Sequence, residues 1–190
     1  ATPFLVIGLF SLFIPATSSA IGTFATPYFY QDLHLSTEII GVVTTLSQGL
    51  AVLGTAATPW LARRLTSRRG DILVSYGMAL TLVPMALIPH WVAAVLSRII
   101  SNALFNIRAP LTQMYAMAQV RQADRPMMSA IIMTGAGLCG TIFSYLGGLL
   151  AAGHGYRAVF WAGAAITGVS TALYALVTHL LIAKGRMQRA

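Results

Sequence analysis

Charge is scarce in this chain of 190 residues, where 12 basic and 4 acidic side chains make up 8% of the sequence. A soluble domain carries roughly 25%, and a surface facing water cannot be covered by so few ions. The acids are Asp32, Glu38, Asp71 and Asp124, and the hydropathy pattern places all four in connections or at helix ends. Cysteine is nearly absent: Cys139 alone forms no intrachain disulfide, and within its apolar run it reads as a small packing residue. His34, His90 and His154 fall in connections, with no His-x-x-x-His pair and no Gly-x-Ser-x-Gly turn. Neither a metal, nor a cofactor, nor a catalytic centre is therefore expected. Alternating apolar and polar residues of the β-barrel kind are also missing.

Apolar sequence is what the chain has in abundance: 57% hydrophobic residues and a mean hydropathy of +0.76. That content excludes disorder and identifies an all-α integral membrane protein. A helix needs ~20 mostly apolar residues to cross ~30 Å of hydrocarbon. Six stretches qualify, at 4–28, 38–62, 71–89, 91–119, 126–152 and 157–183, and they fill a single six-helix bundle from 1 to 190. The chain opens Ala1-Thr2-Pro3, without an initiator Met or the basic segment of a signal peptide. It is read as a piece of a longer polypeptide.

The basic residues orient the spans. Arg63, Arg64, Arg68, Arg69, Arg121, Arg125, Lys184, Arg186 and Arg189 all fall in alternate connections, whereas the opposite connections hold Arg157 with Asp32 and Glu38. Positive charge collects on the cytoplasmic side, so both termini are expected there, in a bacterial inner membrane. The same bias explains the net charge of +8 without a nucleic-acid partner, and the bilayer itself becomes the expected surroundings. Small residues every fourth position, Ala136, Gly140, Ser144, Gly148 and Ala152, predict a tight seam along the fifth span.

Polar groups inside the spans mark a pathway. At ~100° per residue, Arg98, Asn102, Asn106 and Gln113 of the fourth span share one narrow arc, flanked by Ser101, Arg108 and Thr112. An arginine at mid-span costs at least ~2.5–3.5 kcal/mol on insertion scales. With no carboxylate expected inside a span, Arg98 and Arg108 are predicted to need a counter-charge from another segment, a substrate or a water-filled crevice. The first span adds Thr17 and Ser18 between Pro15 and Pro27, and the second adds Gln48. For any single hydroxyl, a bond to its own backbone is the competing reading. First and fourth spans are thus the polar, proline-interrupted members of two three-helix groups of opposite topology, the pattern of an inverted 3+3 repeat with a site at the midplane.

These residues resemble one six-helix half of a major facilitator superfamily transporter. Pro59-Trp60-Leu61-Ala62-Arg63-Arg64 and the trailing Arg68-Arg69 are similar to that family's motif A, matching at Leu61, Ala62 and Arg64 and departing at Arg63 and Thr66. Leu96-Ser97-Arg98 through Asn102 resembles the arginine-bearing motif of a fourth helix, with Asn102 in place of its glycine. Cys139-Gly140 and Gly147-Gly148 partly echo the antiporter motif of the fifth, and Gly153 to Phe160 the entry into the last helix. The resemblance implies the C-terminal half, partnered by an N-terminal six-helix half, with Arg63, Arg64, Arg68 and Arg69 in a cytoplasmic gating loop. It further implies alternating-access transport of a small solute, with proton-coupled efflux among its modes. The other readings are a self-contained six-helix channel or homodimeric carrier, and an intramembrane enzyme, which the lack of motifs disfavours.

Overall fold

A computed structural model describes residues 15–64, 67–88 and 90–183, with side chains from 22 onward except those of 61–63 and 67. Among the described residues six helices follow one another: α1 (Pro15–Gln31), α2 (Thr37–Arg64), α3 (Ser67–Leu87), α4 (Trp91–Ala118), α5 (Arg125–His154) and α6 (Tyr156–Ala183). A 3-10 turn, Gln122–Asp124, precedes α5, and the described residues include no strand. Five of the helices, α2 to α6, carry stretches long and apolar enough to cross a membrane. The part of the expected first span before Pro15 lies outside the described residues.

Proline sits inside four helices, as Pro27, Pro59, Pro84 and Pro110, which neighbouring helices make tolerable in a membrane. The helix ends have local causes. His90 caps α4, its Nδ1 accepting from the Val92 N–H at 3.3 Å. Gly155, at φ 81°, joins α5 to α6 through one residue, a left-handed conformation that a side chain would strain. Hydroxyls within α2 mostly bond their own turn: Thr44, Ser47, Thr55 and Thr58 each donate to the carbonyl four residues earlier.

In the bundle, α4 packs against α2 and α3, α3 also against α6, and α1 against α5 and α6. Two apolar clusters hold these contacts. At one end Phe24, Tyr28, Phe29, Leu82, Met85 and Phe160 close together, with the Tyr28 and Phe160 rings edge-on at 5.1 Å. At the other end Tyr115, Ala116, Met128 and Tyr174 form a smaller cluster. Close backbone approach is concentrated in a few places: a Cβ on Gly54 would stand 3.0 Å from the Ala103 carbonyl oxygen, fixing α2 on α4.

The expected seam along α5 differs from the observed packing. Ser144 on that stripe meets Thr23 of α1 at 3.3 Å, but Gly148 faces open space and Ala152 is exposed. The tight contact is one residue off the stripe, at Gly147, where a Cβ would come within 2.6 Å of the Phe24 ring. Spacing alone identifies a small-residue stripe, whereas the bulk of a buried aromatic on α1 decides where space is short. Gly147→Ala should therefore destabilise the bundle by about 1–3 kcal/mol, the usual cost of overpacking. Gly148→Ala should be neutral or mildly stabilising, as alanine favours helix over glycine. Thermal melts of the two variants in detergent check the contrast.

Candidate functional site

The fourth span divides its polar residues between two faces. Arg98, Asn102, Asn106 and Gln113 are half-buried and border the exposed Phe105 and Ala109, so this arc reaches the surface of the bundle. A separate exposed strip, Leu96, Ile100 and Met114, is apolar. Ser101, Arg108 and Thr112 turn the other way, into the bundle.

Asn102 ties the polar arc to α2. Its Nδ2 donates to the Ser47 carbonyl at 3.0 Å and stands 3.5 Å from Gln48 Oε1. Asn106 Nδ2 donates back to the Asn102 carbonyl at 2.8 Å. Gln48 is exposed, so its amide and the Asn102 side chain meet at the rim of the α2–α4 contact. Four sequence-predicted pathway residues thus share an arc, and Gln48 adjoins it. The side chains of Thr17 and Ser18 lie outside the described residues.

Arg108 occupies a different environment from the one its place in the sequence suggests. It is 6% exposed, and Asp71, at 1%, faces it from α3. Arg108 Nε lies 3.1 Å from Asp71 Oδ1 and donates to Ser75 Oγ at 2.6 Å. Thr112 Oγ1 donates to the same Asp71 oxygen at 2.7 Å, and Ser75 Oγ donates to the Asp71 carbonyl at 2.7 Å. Two expectations are corrected here. Asp71 is not at a helix end, because α3 begins at Ser67 and carries the carboxylate into its second turn. Arg108 does not lack an acidic partner within the chain, so its charge calls for no outside counter-ion.

The signal that would have revealed this pair is a matched spacing. Asp71 and Ser75 are four apart on α3, as are Arg108 and Thr112 on α4, so each helix presents a polar pair on one face. Space beside them is kept small: a Cβ on Gly70 would meet Leu111 Cδ1 at 3.2 Å, and one on Gly77 would meet Leu104 Cδ1 at 3.2 Å. The ion pair uses Nε alone, and Arg108 Nη2 is buried without a hydrogen-bond partner among the described residues. That is a weaker arrangement than a bidentate fork.

The basic segment between α2 and α3 is put to several uses. Arg68 Nε donates to Thr178 Oγ1 at 3.0 Å and its Nη2 to the Ala175 carbonyl at 3.1 Å, tying α3 to α6. The Arg64 guanidinium lies 5.1 Å over the Trp60 ring, and Arg69 is exposed. The side chain of Arg63 lies outside the described residues.

Removing one member of a buried ion pair strands the other charge, at a cost of ~3–5 kcal/mol. Asp71→Asn and Arg108→Gln should each lower the melting temperature sharply, with a loss nearer the smaller figure given the single contact. The double variant should recover a substantial part, and a double-mutant cycle of melts measures the coupling.

The family model described as Major Facilitator Superfamily matches residues 7–186. Among solved structures, the POT family transporter PepTSo, crystallised in meso, superimposes with a TM-score of 0.79 at 15% identity. That match covers 98% of this chain and 38% of the other, and at such identity the likeness is one of fold. Curated protein sequences give no match.

Proposed function

The chain belongs to the Major Facilitator Superfamily, and from that premise we propose that it works as one six-helix half of a secondary transporter moving a small solute by alternating access. It is an integral membrane protein, with helices suited to a bilayer. The observation that carries the reading is the surface arc of α4. Arg98, Asn102, Asn106 and Gln113 border an exposed strip, and Gln48 lies alongside, while the apolar Leu96, Ile100 and Met114 form a separate strip. Polar side chains at that depth are costly against lipid, so the face on which these four residues border Phe105 and Ala109 is assigned to the solute path, and the strip of Leu96, Ile100 and Met114 to acyl chains. The arc contains donors and acceptors of both amide kinds and one guanidinium, a set suited to a polar or anionic solute.

Arg108 leaves the proposed lining. Its pairing with Asp71 fixes α3 to α4, and its role is to hold the arc in place from behind. Thr17 and Ser18 stay in the proposal as contributors from α1. Arg64, Arg68 and Arg69 form the proposed cytoplasmic gating segment with Arg63, supported by the tie of Arg68 to α6. Transport, rather than catalysis, is the chemistry this arrangement suits.

The second half of the transporter is supported by length: the chain spans 38% of PepTSo. Arg108, paired with Asp71, makes no demand on that half for a counter-charge. A native polypeptide near ~40 kDa, as opposed to the 20.2 kDa of this chain, is the corresponding outcome on a denaturing gel. Export driven by a proton gradient is the proposed mode, in a bacterial inner membrane with both termini cytoplasmic. Solute movement in vesicles under an imposed gradient, abolished by a protonophore, tests it.

Asn102→Leu and Asn106→Leu should each weaken solute binding roughly three- to tenfold, the value of one hydrogen bond. Ile100→Leu and Met114→Leu, on the apolar strip, should leave it unchanged. Vesicle transport assays on the complete transporter decide, and equal activity in all four variants removes the arc from the path.

A further inference from the structure

On the side of α3 that meets α6, an open groove of about 350 Å³ is lined by Tyr76, Ala79 and Val83 from α3 and by Trp161, Ala164 and Ala165 from α6. Its floor is small and apolar, and its walls are aromatic. The two helices run in opposite directions, since Met85 and Phe160 share one cluster while Arg68 reaches Thr178 at the other end. From Leu87, where α3 ends, to Tyr76 the helix descends about 16 Å at 1.5 Å per residue. That is one leaflet of a hydrocarbon layer ~30 Å thick. The groove itself runs about 10 Å along α3, from Val83, about 6 Å below the end of the helix, to Tyr76 near the midplane.

Its upper end is marked by charge. Arg157 lies in the first turn of α6, one turn before Trp161 and two before Ala164, on the same helical face. It is exposed, donates a hydrogen bond to the Tyr28 hydroxyl, to which Asp32 is also close, and makes no ion pair among the described residues. Asp32, at the same end of the bundle, does not come within ion-pair distance. Trp161 is 46% exposed and sits where indole rings favour the boundary between headgroups and chains. A cation at the boundary above an apolar slot that reaches toward the midplane matches a lipid with a negative headgroup.

We propose that the α3–α6 groove is a binding site for one anionic glycerophospholipid, with an acyl chain along Tyr76, Ala79, Val83 and Ala165 and the phosphate held by Arg157. Shape alone would accept any acyl chain; the guanidinium selects charge. The site is separate from the polar arc of α4, so its occupancy is measured without reference to transport.

The test reconstitutes the full-length protein in vesicles containing either phosphatidylglycerol or phosphatidylcholine with brominated acyl chains. The signal is the part of the tryptophan quenching that disappears in Trp161→Phe. Wild type should reach half-maximal quenching at a roughly fivefold lower mole fraction of brominated phosphatidylglycerol than of phosphatidylcholine, the preference expected of one basic residue near the surface. Arg157→Gln should bring the two lipids to parity. Ala165→Phe, which fills the groove from an exposed position, should do the same while its melting temperature stays near wild type. Equal quenching by both lipids in wild type, or a preference that survives either substitution, overturns the proposal.

Discussion

An ion pair sealed between two helices holds the bundle together near the end where Tyr115 and Tyr174 cluster. Asp71 and Arg108 meet within surroundings where an unpartnered charge would cost several kcal/mol, and each is braced by a hydroxyl from one of the two helices. The pair sets the rotation of α4 about its own axis. With Arg108 turned toward α3, Asn102 and Asn106 turn toward α2 and the open side, and the two apolar clusters close at either end. A different rotation would bury the amides or expose the guanidinium.

That rotation sorts the polar residues of one helix by task. Residues that need permanent shelter, Arg108 and Thr112, face α3, whose Asp71 and Ser75 complete them. Those with spare hydrogen-bonding capacity stay at the rim. Ser47 illustrates the economy of the contact: its hydroxyl satisfies its own helix, and its carbonyl receives the Asn102 amide from across the gap. The small residues Gly54, Gly70 and Gly77 let the backbones come close enough for short polar side chains to reach.

Much of this was legible in the residues. Helices α2 to α6 lie within a few positions of the stretches expected from hydropathy, because length and apolar content are nearly sufficient conditions in a bilayer. The α4 arc followed from angular spacing alone, which is fixed by helix geometry. Asp71 was the failure, and its cause is instructive. Hydropathy treats a carboxylate after two arginines as the end of a span, yet Ser67 starts the helix one turn earlier and Arg68 anchors that turn on α6. The Gly147 contact was likewise invisible, since nothing in α5 announces that Phe24 of α1 lies opposite. Pairings between helices distant in sequence leave no periodic trace on either one.

The one-residue link between α5 and α6 has a mechanical consequence. His154 ends one helix and Tyr156 begins the next, so the pair is joined like the legs of a compass at Gly155. Neither leg can slide along its axis without dragging the other, and the freedom left to them is angular. Each leg is about 42–45 Å long at 1.5 Å per residue. A change of about 5° at the pivot therefore separates the far tips by nearly 4 Å, while the Tyr28–Tyr156–Phe160 rings beside the pivot hardly move.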